Sequence, residues 1–518
     1  MSINKNYLLG MDLGTTNIKG IISDQEGNIE AVATASNELI HPAPGLVEQN
    51  ANDWWKNIAS VFWSLTRQVP EEVIKNIRGI CISSQTVTML PVDKNGKPLR
   101  NALIWMDGRS GKEVSEIISS VGLPEFVRIT GGQPDMAFLP NKILWFKKNE
   151  PELFGQTWRF LQASSYANFK LTGNMTMDVD QAIKSQCLDI NTMQWSKPIG
   201  DAIGIDLNDY LPQPQGVDTV IGYVTKEAAE ETGLVSGIPV VCGASDAVAS
   251  MYALGLSRPG EAGESSGTSS LLFCCHTEGT DPFLPVVAKP SSIAGVPYVF
   301  DAPISASGAS LKFFLDVFGA EEKKTAKKMG VNVYDYLNLK AMQAPAGSNG
   351  LFYYPYLLGE RAPLWNNHAK GMFIGMTMST TRQDLIRAVF EGTAYAIRHV
   401  MSVMKETGAP IDSFRVTGGG AKSRTWSMIK AAMLNVPVYV MDEKAGDVPF
   451  GDVLIAGHGV GLFPNLEETM AELVQPQEII MPNAKWVKVY NERFPMFVDM
   501  YKHLDLDLFK LNGMLKQQ

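Results

Sequence analysis

At 518 residues, with 45% hydrophobic and 19% charged side chains and a formal net charge of −9, the chain reads as soluble and globular but too long for one ordinary core, so two to four domains are expected. The acidic balance argues against a nucleic-acid partner or an anionic membrane surface. No uninterrupted apolar stretch reaches the ~18 residues that span a bilayer, and Met1 to Tyr7 lacks the cationic-then-apolar pattern of a secretory signal. Cys81, Cys187, Cys242, Cys274 and Cys275 form no Cys-x-x-Cys pair and no ligand cluster with histidine. They read as buried thiols in a reducing, cytoplasmic setting.

In chain order, the first half opens with a strand from Tyr7 to Asp12, a turn at Gly14-Thr15-Thr16 and a strand from Ile18 to Ser23. Asp24-Gln25-Glu26-Gly27 supplies turn chemistry, and Ile29 to Ala35 completes a β-meander. A Pro-rich loop (His41 to Gly45) leads to a helix holding Trp54 and Trp55, and Ile77 to Ser84 is a further strand. Ile238 to Cys242 has the short apolar run of a buried strand and ends in Gly243-Ala244-Ser245-Asp246, with a small-residue helix from Ala247 to Leu254. The boundary between two lobes, 1–255 and 256–518, is placed near Gly255. The second lobe begins with a hairpin from Glu261 to Cys275. Its longest helix starts at Thr381, with Asp384 three residues on as in a capping box, and stops at Gly408. Leu385, Val389, Thr393, Ile397, Val400 and Met404 line one face of it. Gly392 lies inside that helix at a propensity cost of ~1 kcal/mol, which implies close approach of another backbone. A strand from Ser413 to Thr417 runs into Gly418-Gly419-Gly420 and a helix from Arg424 to Leu434. Strands and helices alternate in both halves, so the fold class is α/β.

Two segments share one pattern: Gly10-Met11-Asp12-Leu13-Gly14-Thr15-Thr16 and Gly263-Glu264-Ser265-Ser266-Gly267-Thr268-Ser269. Glycine lets a backbone approach a phosphate, to which N–H groups and Thr or Ser hydroxyls donate. One such turn would be an ordinary hairpin; two, half a chain apart, point to two lobes facing one nucleotide. Gly418-Gly419-Gly420, between a strand and a helix, can admit a nucleobase or phosphate near a helix N-terminus. The P-loop pattern fails, because Lys422 follows Ala421, and no Gly-x-Gly-x-x-Gly follows the first strand. Asp12 and Asp246 each follow an apolar strand, where a carboxylate is held rigidly at a crevice. Asp12, beside the first turn, suits Mg²⁺. Asp246 could take the proton of an attacking hydroxyl, its plain alternative being a helix N-cap. Gln85, Thr86, Trp105, Asp107 and Arg109 form a polar-aromatic group suited to a polyol, the alternative being a structural Asp107–Arg109 ion pair. The six histidines are scattered and carry no assigned role.

With Met11 to Lys19, Pro44 to Gln49 ahead of Trp54-Trp55, Leu103 to Arg109, Gly243 to Asp246, Gly267 to Ser269, Pro355 to Pro363, Glu391-Gly392 and Gly418 to Ser423 in this order, the chain resembles the FGGY carbohydrate kinases, most like the xylulokinases. The resemblance implies two ribonuclease-H-like lobes of the actin and hexokinase type with the active-site cleft between them. It also implies ATP-dependent phosphorylation of a small sugar, a ketopentose such as D-xylulose first. Asp246 then matches the catalytic base and Asp12 the metal-associated aspartate, the two flanking Mg²⁺. Thr15, Thr16, Lys19, Gly267, Thr268, Gly308, Gly419 and Gly420 match positions around the nucleotide, and a homodimer is left open. The chain departs from the family at the sugar. Gln85-Thr86-Val87-Thr88 stands where xylulokinases usually have Gln-Met-His-Gly and glycerol kinases Gln-Arg-Glu-Thr. Ala247 replaces the usual Asn or Gln, and Ser164-Ser165-Tyr166 stands for Lys-Asp-Tyr. Another ketose, a polyol, a sugar acid such as gluconate, or a non-catalytic sugar- or nucleotide-binding protein on the same scaffold are the competing readings.

Overall fold

A computed structural model describes residues 5–442 and 447–515. Two sheets organise it, and they repeat one topology. In the first half β1 (Tyr7–Leu13), β2 (Asn17–Asp24) and β3 (Ile29–Ser36) form an antiparallel meander; helix α1 (Ala51–Gln68) packs on it, and β4 (Ile77–Ser84) pairs parallel to β1. After helices α2 (Leu139–Asn149), α3 (Ala163–Thr172) and α4 (Val179–Lys184), strands β5 (Val220–Tyr223) and β6 (Pro239–Val241) complete the order β5-β6-β4-β1-β2-β3. Helix α5 (Asp246–Ala253) leads into the second half.

There β7 (Glu261–Ser266), β8 (Ser270–His276) and, past the short β9 (Ala288–Pro290), β10 (Tyr298–Ile304) make a second meander. Helices α6 (Gly308–Val317) and α7 (Arg382–Glu406) precede β11 (Ser413–Gly418), which pairs parallel to β7. Then follow α8 (Arg424–Leu434), β12 (Val438–Met441), α9 (Val448–Gly459), β13 (Pro476–Ile480) and α10 (Ala484–Leu515). The order β9-β10-β8-β7-β11-β12-β13 repeats the β3-β2-β1-β4 arrangement of the first sheet, with β9 added at one edge; at the other edge the outermost strand follows its neighbour in the chain (β12, then β13), whereas in the first sheet it precedes it (β5, then β6).

The local signals act as read from the sequence. Thr381 and Asp384 close a reciprocal capping box at the start of α7, and Gly408 follows its end in the left-handed region with φ +91°. Val389, Thr393, Ile397, Val400 and Met404 are buried and Leu385 is half-buried, and burial extends round most of the helix because other elements cover its remaining faces. A Cβ on Gly392 would stand 2.1 Å from the Tyr353 carbonyl oxygen, which is the close backbone approach the sequence implies. All five cysteines are free and buried. Among the described residues no helix is long and apolar enough to cross a membrane.

Helix α9 belongs to the second half in sequence yet packs on β1 and β4 of the first sheet and against α5. Glycine makes the crossing: a Cβ on Gly451 would meet the Ala249 oxygen at 1.9 Å, and one on Gly10 the Pro449 oxygen at 2.0 Å. The two helices thus meet between the sheets, and both begin beside the end of β1.

Candidate functional site

Asp12 lies near the end of β1, and Asp246 opens α5. The approach to α5 is a turn at Gly243 (φ +81°), where a Cβ would lie 2.2 Å from the Ile82 oxygen, so only glycine fits. Ser245, rather than Asp246, caps the helix, accepting from the Val248 amide at 3.3 Å. That leaves the Asp246 carboxylate one local partner, the Ala247 amide at 2.8 Å. Burial raises the Asp246 pKa to about 6, with Lys184 and the Ala247 amide holding it from rising further and Asp301 and Asp180 adding to the rise. A carboxylate poised there is ionised at neutral pH and still basic enough to accept a proton.

Burial also pushes the Asp12 pKa well up, and the charges of Asp246 and Asp447 push it further. Its Oδ1 is buried without a hydrogen-bond partner. A bare acceptor oxygen among carboxylates fits a divalent cation, which would turn that repulsion into attraction. Among the described residues no three His, Cys, Asp or Glu side chains could hold an ion by themselves. Mg²⁺ takes one or two carboxylates and completes its shell with water and phosphate oxygens.

The first turn is tied to the polyol-suited group through side chains. The Trp105 indole N–H donates to the Thr15 hydroxyl at 3.1 Å, which donates to Gln85 Oε1 at 2.9 Å; Gln85 Nε2 donates to Gln49 at 2.6 Å, and Gln49 Nε2 to the Thr15 carbonyl at 2.8 Å. The Thr15 hydroxyl and the Gln85 amide thus hold the turn as well as lining it. Thr16 stays exposed beside Asn17, and Lys19 forms an ion pair with Asp447.

Asp107 needs correction. It is buried, and both its oxygens are occupied, by the Arg109 guanidinium at 2.7 and 2.9 Å and by the Val47 amide at 2.7 Å. The ion-pair alternative describes it, and its part is to hold the loop that presents Trp105. Over the Trp105 ring, at 5.8 Å, stands the Arg361 guanidinium from the second half. The Thr86 hydroxyl is buried without a partner.

The second turn is braced by backbone. The Gly308 amide donates to the Gly267 oxygen at 3.1 Å, and the Ser307 and Ala309 amides donate to the Thr268 oxygen at 3.1 and 3.0 Å. A Cβ on Gly308 would reach the Gly267 oxygen at 2.4 Å; one on Gly418 would reach the Ser266 oxygen at 2.4 Å, and one on Gly420 the Ser266 Oγ at 2.1 Å. Gly419 meets nothing closer than 3.9 Å. So two glycines of the triplet serve packing against the turn, and Gly419 alone faces open space. Gly267, Thr268 and Ser269 are exposed.

Charged groups that the sequence did not single out gather beside Asp246. Lys184 Nζ lies 2.8 Å from Ser245 Oγ, 3.4 Å from Asp180 and 3.1 Å from Asp301, which comes from β10 in the other half. Lys142 is buried and donates to the carbonyls of Ile104 at 2.7 Å and Val87 at 3.3 Å, one bond for each loop on the polyol side. Burial lowers its pKa to about 7. Apart from Asp180, one helical turn before Lys184, their partners lie far along the chain, so little in the local sequence marks them.

Residues 7–253 match the N-terminal domain profile, and residues 264–460 the C-terminal one, of the FGGY family of carbohydrate kinases. A xylulose kinase of Bacillus subtilis is 29% identical over 96% of this chain and 97% of its own length. The crystal structure of xylulose kinase from Rhodospirillum rubrum superposes with a TM-score of 0.89 at 28% identity, covering 97% of this chain and 100% of that one. That of gluconate kinase from Lactobacillus acidophilus does so with 0.89 at 25% identity, covering 98% and 100%. With two α/β domains, a duplicated Gly-x-x-x-Gly-Thr-Thr/Ser hairpin and a carboxylate from each of two elements at the same crevice, the chain belongs to the FGGY family of carbohydrate kinases.

Proposed function

We propose that this kinase transfers the γ-phosphoryl group of ATP to a hydroxyl of a small sugar, with Asp246 as the general base. The observation that carries this reading is the Asp246 carboxylate: it is recessed at a helix N-terminus, holds one backbone hydrogen bond, and has its pKa raised to about 6. The acceptor's O–H proton passes to Asp246, its oxygen bonds to the γ-phosphorus, and the bond to the β-phosphate oxygen breaks with its electron pair leaving on ADP. Mg²⁺ would be held on the Asp12 side and would neutralise phosphate charge. Thr16, Gly267, Thr268 and Gly419 are the turn positions left open for phosphate or base. The division into a sugar-side half, 1–255, and a nucleotide-side half, 256–518, belongs to the same reading, with α9 as the element the second half lends to the first.

Overall likeness to xylulose kinases supports a ketopentose such as D-xylulose as acceptor. The likeness to a gluconate kinase structure makes a sugar acid the second reading, and a particular cation in the cleft favours it, as argued below. The test is Asp246→Asn in a coupled ADP-release assay over pentuloses, hexuloses, polyols and sugar acids. Sugar-dependent ADP release should fall by about 10²–10⁴-fold while ATP still binds. Unchanged turnover would remove Asp246 from the mechanism. A wild-type protein that no sugar stimulates would be a binder rather than a kinase.

A further inference from the structure

Lys289 stands beside the Asp301, Lys184 and Asp180 group, and among the described residues it forms no ion pair. It projects from β9 on the same side of the sheet as Val299 and Asp301, since it pairs in register with Val299. It is only partly buried, yet the surrounding protein lowers its pKa, with Asp301 and Asp180 opposing that shift and Lys184 adding to it. Asp301 and Asp180 are bound to Lys184, and no carboxylate lies within 4 Å of Lys289 among the described residues. A desolvated ammonium without an ion pair, still reachable by solvent, is costly to keep in the free protein.

Its surroundings are shaped for a ligand. Lys289 Nζ lies 3.2 Å, and Gln186 Nε2 3.1 Å, from the point where a Cβ on Gly132 would be, so the two side chains converge over bare backbone. Gln186 is 1% exposed. Its Nε2 donates to the Gln133 carbonyl at 2.9 Å, while its Oε1 is buried with no partner. The site therefore sets one cation beside the amide of a side chain whose acceptor oxygen has no partner. Lys184, fixed between Asp180, Asp301 and Ser245, links it to the turn that carries Asp246. On the other side of the crevice Val87 is buried within an apolar cluster, so recognition there falls to few polar groups.

We infer that Lys289 and Gln186 seat a carboxylate and the hydroxyl next to it, and that the acceptor is a 2-hydroxy sugar acid, an aldonate, rather than a neutral ketose. The carboxylate pairs with the ammonium, the C2 hydroxyl donates to Gln186 Oε1, and a hydroxyl further along the chain meets Asp246. The inference rests on the kinase reading above and adds the class of acceptor to it.

ADP release is measured with D-gluconate, D-xylonate and D-xylulose for the wild type, Lys289→Met, Lys289→Arg and Gln186→Leu, with Tm as the check on folding. An aldonate should be the better acceptor by kcat/KM. Lys289→Met should raise its KM at least tenfold with kcat within about threefold, Lys289→Arg should recover most of that loss, and Gln186→Leu should raise KM by several-fold. Preference of the wild type for D-xylulose overturns the inference and leaves the kinase reading standing, and it needs no variant. An aldonate KM unmoved by Lys289→Met in a folded protein also overturns it. No stimulation by any of the three, or by the wider panel, takes down the kinase reading and this inference together.

Discussion

The two copies of the turn motif occupy equivalent places in two equivalent sheets, yet they are built differently. In the first, Leu13 pairs with Ile18, leaving residues 14–17 as the loop; in the second, Ser266 pairs with Ser270, leaving the shorter 267–269. The first turn is fastened by side chains, with Thr15 bonded to both Trp105 and Gln85. The second is fastened by backbone amides at 307–309 and by glycine packing against β11. The carboxylates differ as well. Asp12 keeps a bare oxygen in the crevice, whereas Glu264 of the second copy is buried, paired with Lys430 at 2.5 Å and bonded to Ser270 at 2.6 Å. One hairpin keeps a carboxylate oxygen bare at the crevice; the other has its carboxylate neutralised by an internal ion pair. A repeated backbone thus supports unlike roles because the side chains behind it have diverged.

Swapping the motifs' chemistry tests this most severely. Asp12→Ser gives the first copy the residue of the second at that position. It should cost about 10³-fold in kcat, the scale of losing a preorganised charge at the phosphates. Tm should hold or rise, since burial and two neighbouring carboxylates already disfavour the Asp12 charge. The reverse change, Ser265→Asp, should not create a second charged site. A wild-type kcat in Asp12→Ser would end the distinction between the two turns.

The next largest effects separate packing glycines from open ones. Gly308→Ala and Gly420→Ala force a Cβ to within 2.4 and 2.1 Å of Gly267 and Ser266 atoms, and each should destabilise by about 1–3 kcal/mol and raise KM for ATP. Gly419→Ala, with nothing closer than 3.9 Å, should leave Tm unchanged, so any effect it has on KM for ATP reports contact with the nucleotide. Equal losses of Tm in all three would mean that the triplet acts as one packing unit.

The contrast in fastening predicts a smaller, split effect. Thr15→Val removes two side-chain hydrogen bonds, each worth about 1 kcal/mol, and should weaken sugar and ATP together, by up to about tenfold in either KM. Thr268→Val removes a hydroxyl the protein does not use internally and should change KM for ATP alone. KM values for both substrates in both variants decide it.

These differences explain what could be read in advance. Strand and helix limits followed from local chemistry: the capping box at Thr381, the turn at Asp24 to Gly27, the apolar runs of β1 and β4. Asp12 and Asp246 were visible because each ends an apolar run. What escaped was side-chain traffic between segments far apart in the chain: Lys184 with Asp301, Lys19 with Asp447, Lys142 with the carbonyls of Val87 and Ile104. A lysine near a helix end looks like any solvated lysine until the other half of the fold is laid against it. Asp107 failed in the opposite way: its partner, Arg109, was two residues off, and the local ion pair took the whole carboxylate.

The smallest expected effect concerns the first half alone, through Asp246. With the Asp246 pKa at about 6, the acid limb of kcat/KM should bend there, falling about tenfold per pH unit below it as the carboxylate takes up a proton. Lys184 opposes the burial that raises this pKa, and Asp180 and Asp301 hold it in place. Lys184→Met removes the cation and leaves Asp180, Asp246 and Asp301 facing one another. The ionised base then becomes less favourable, and the limb should move to higher pH by on the order of one unit, with plateau kcat little changed once the base is fully ionised. A change confined to KM at every pH would make Lys184 a sugar contact; a limb that stays put while the protein remains folded would mean that the titrating group is not Asp246. Asp12, on the other side of the crevice, gives no such handle, because its own shift is set by burial and by Asp246 and Asp447, none of which Lys184→Met removes.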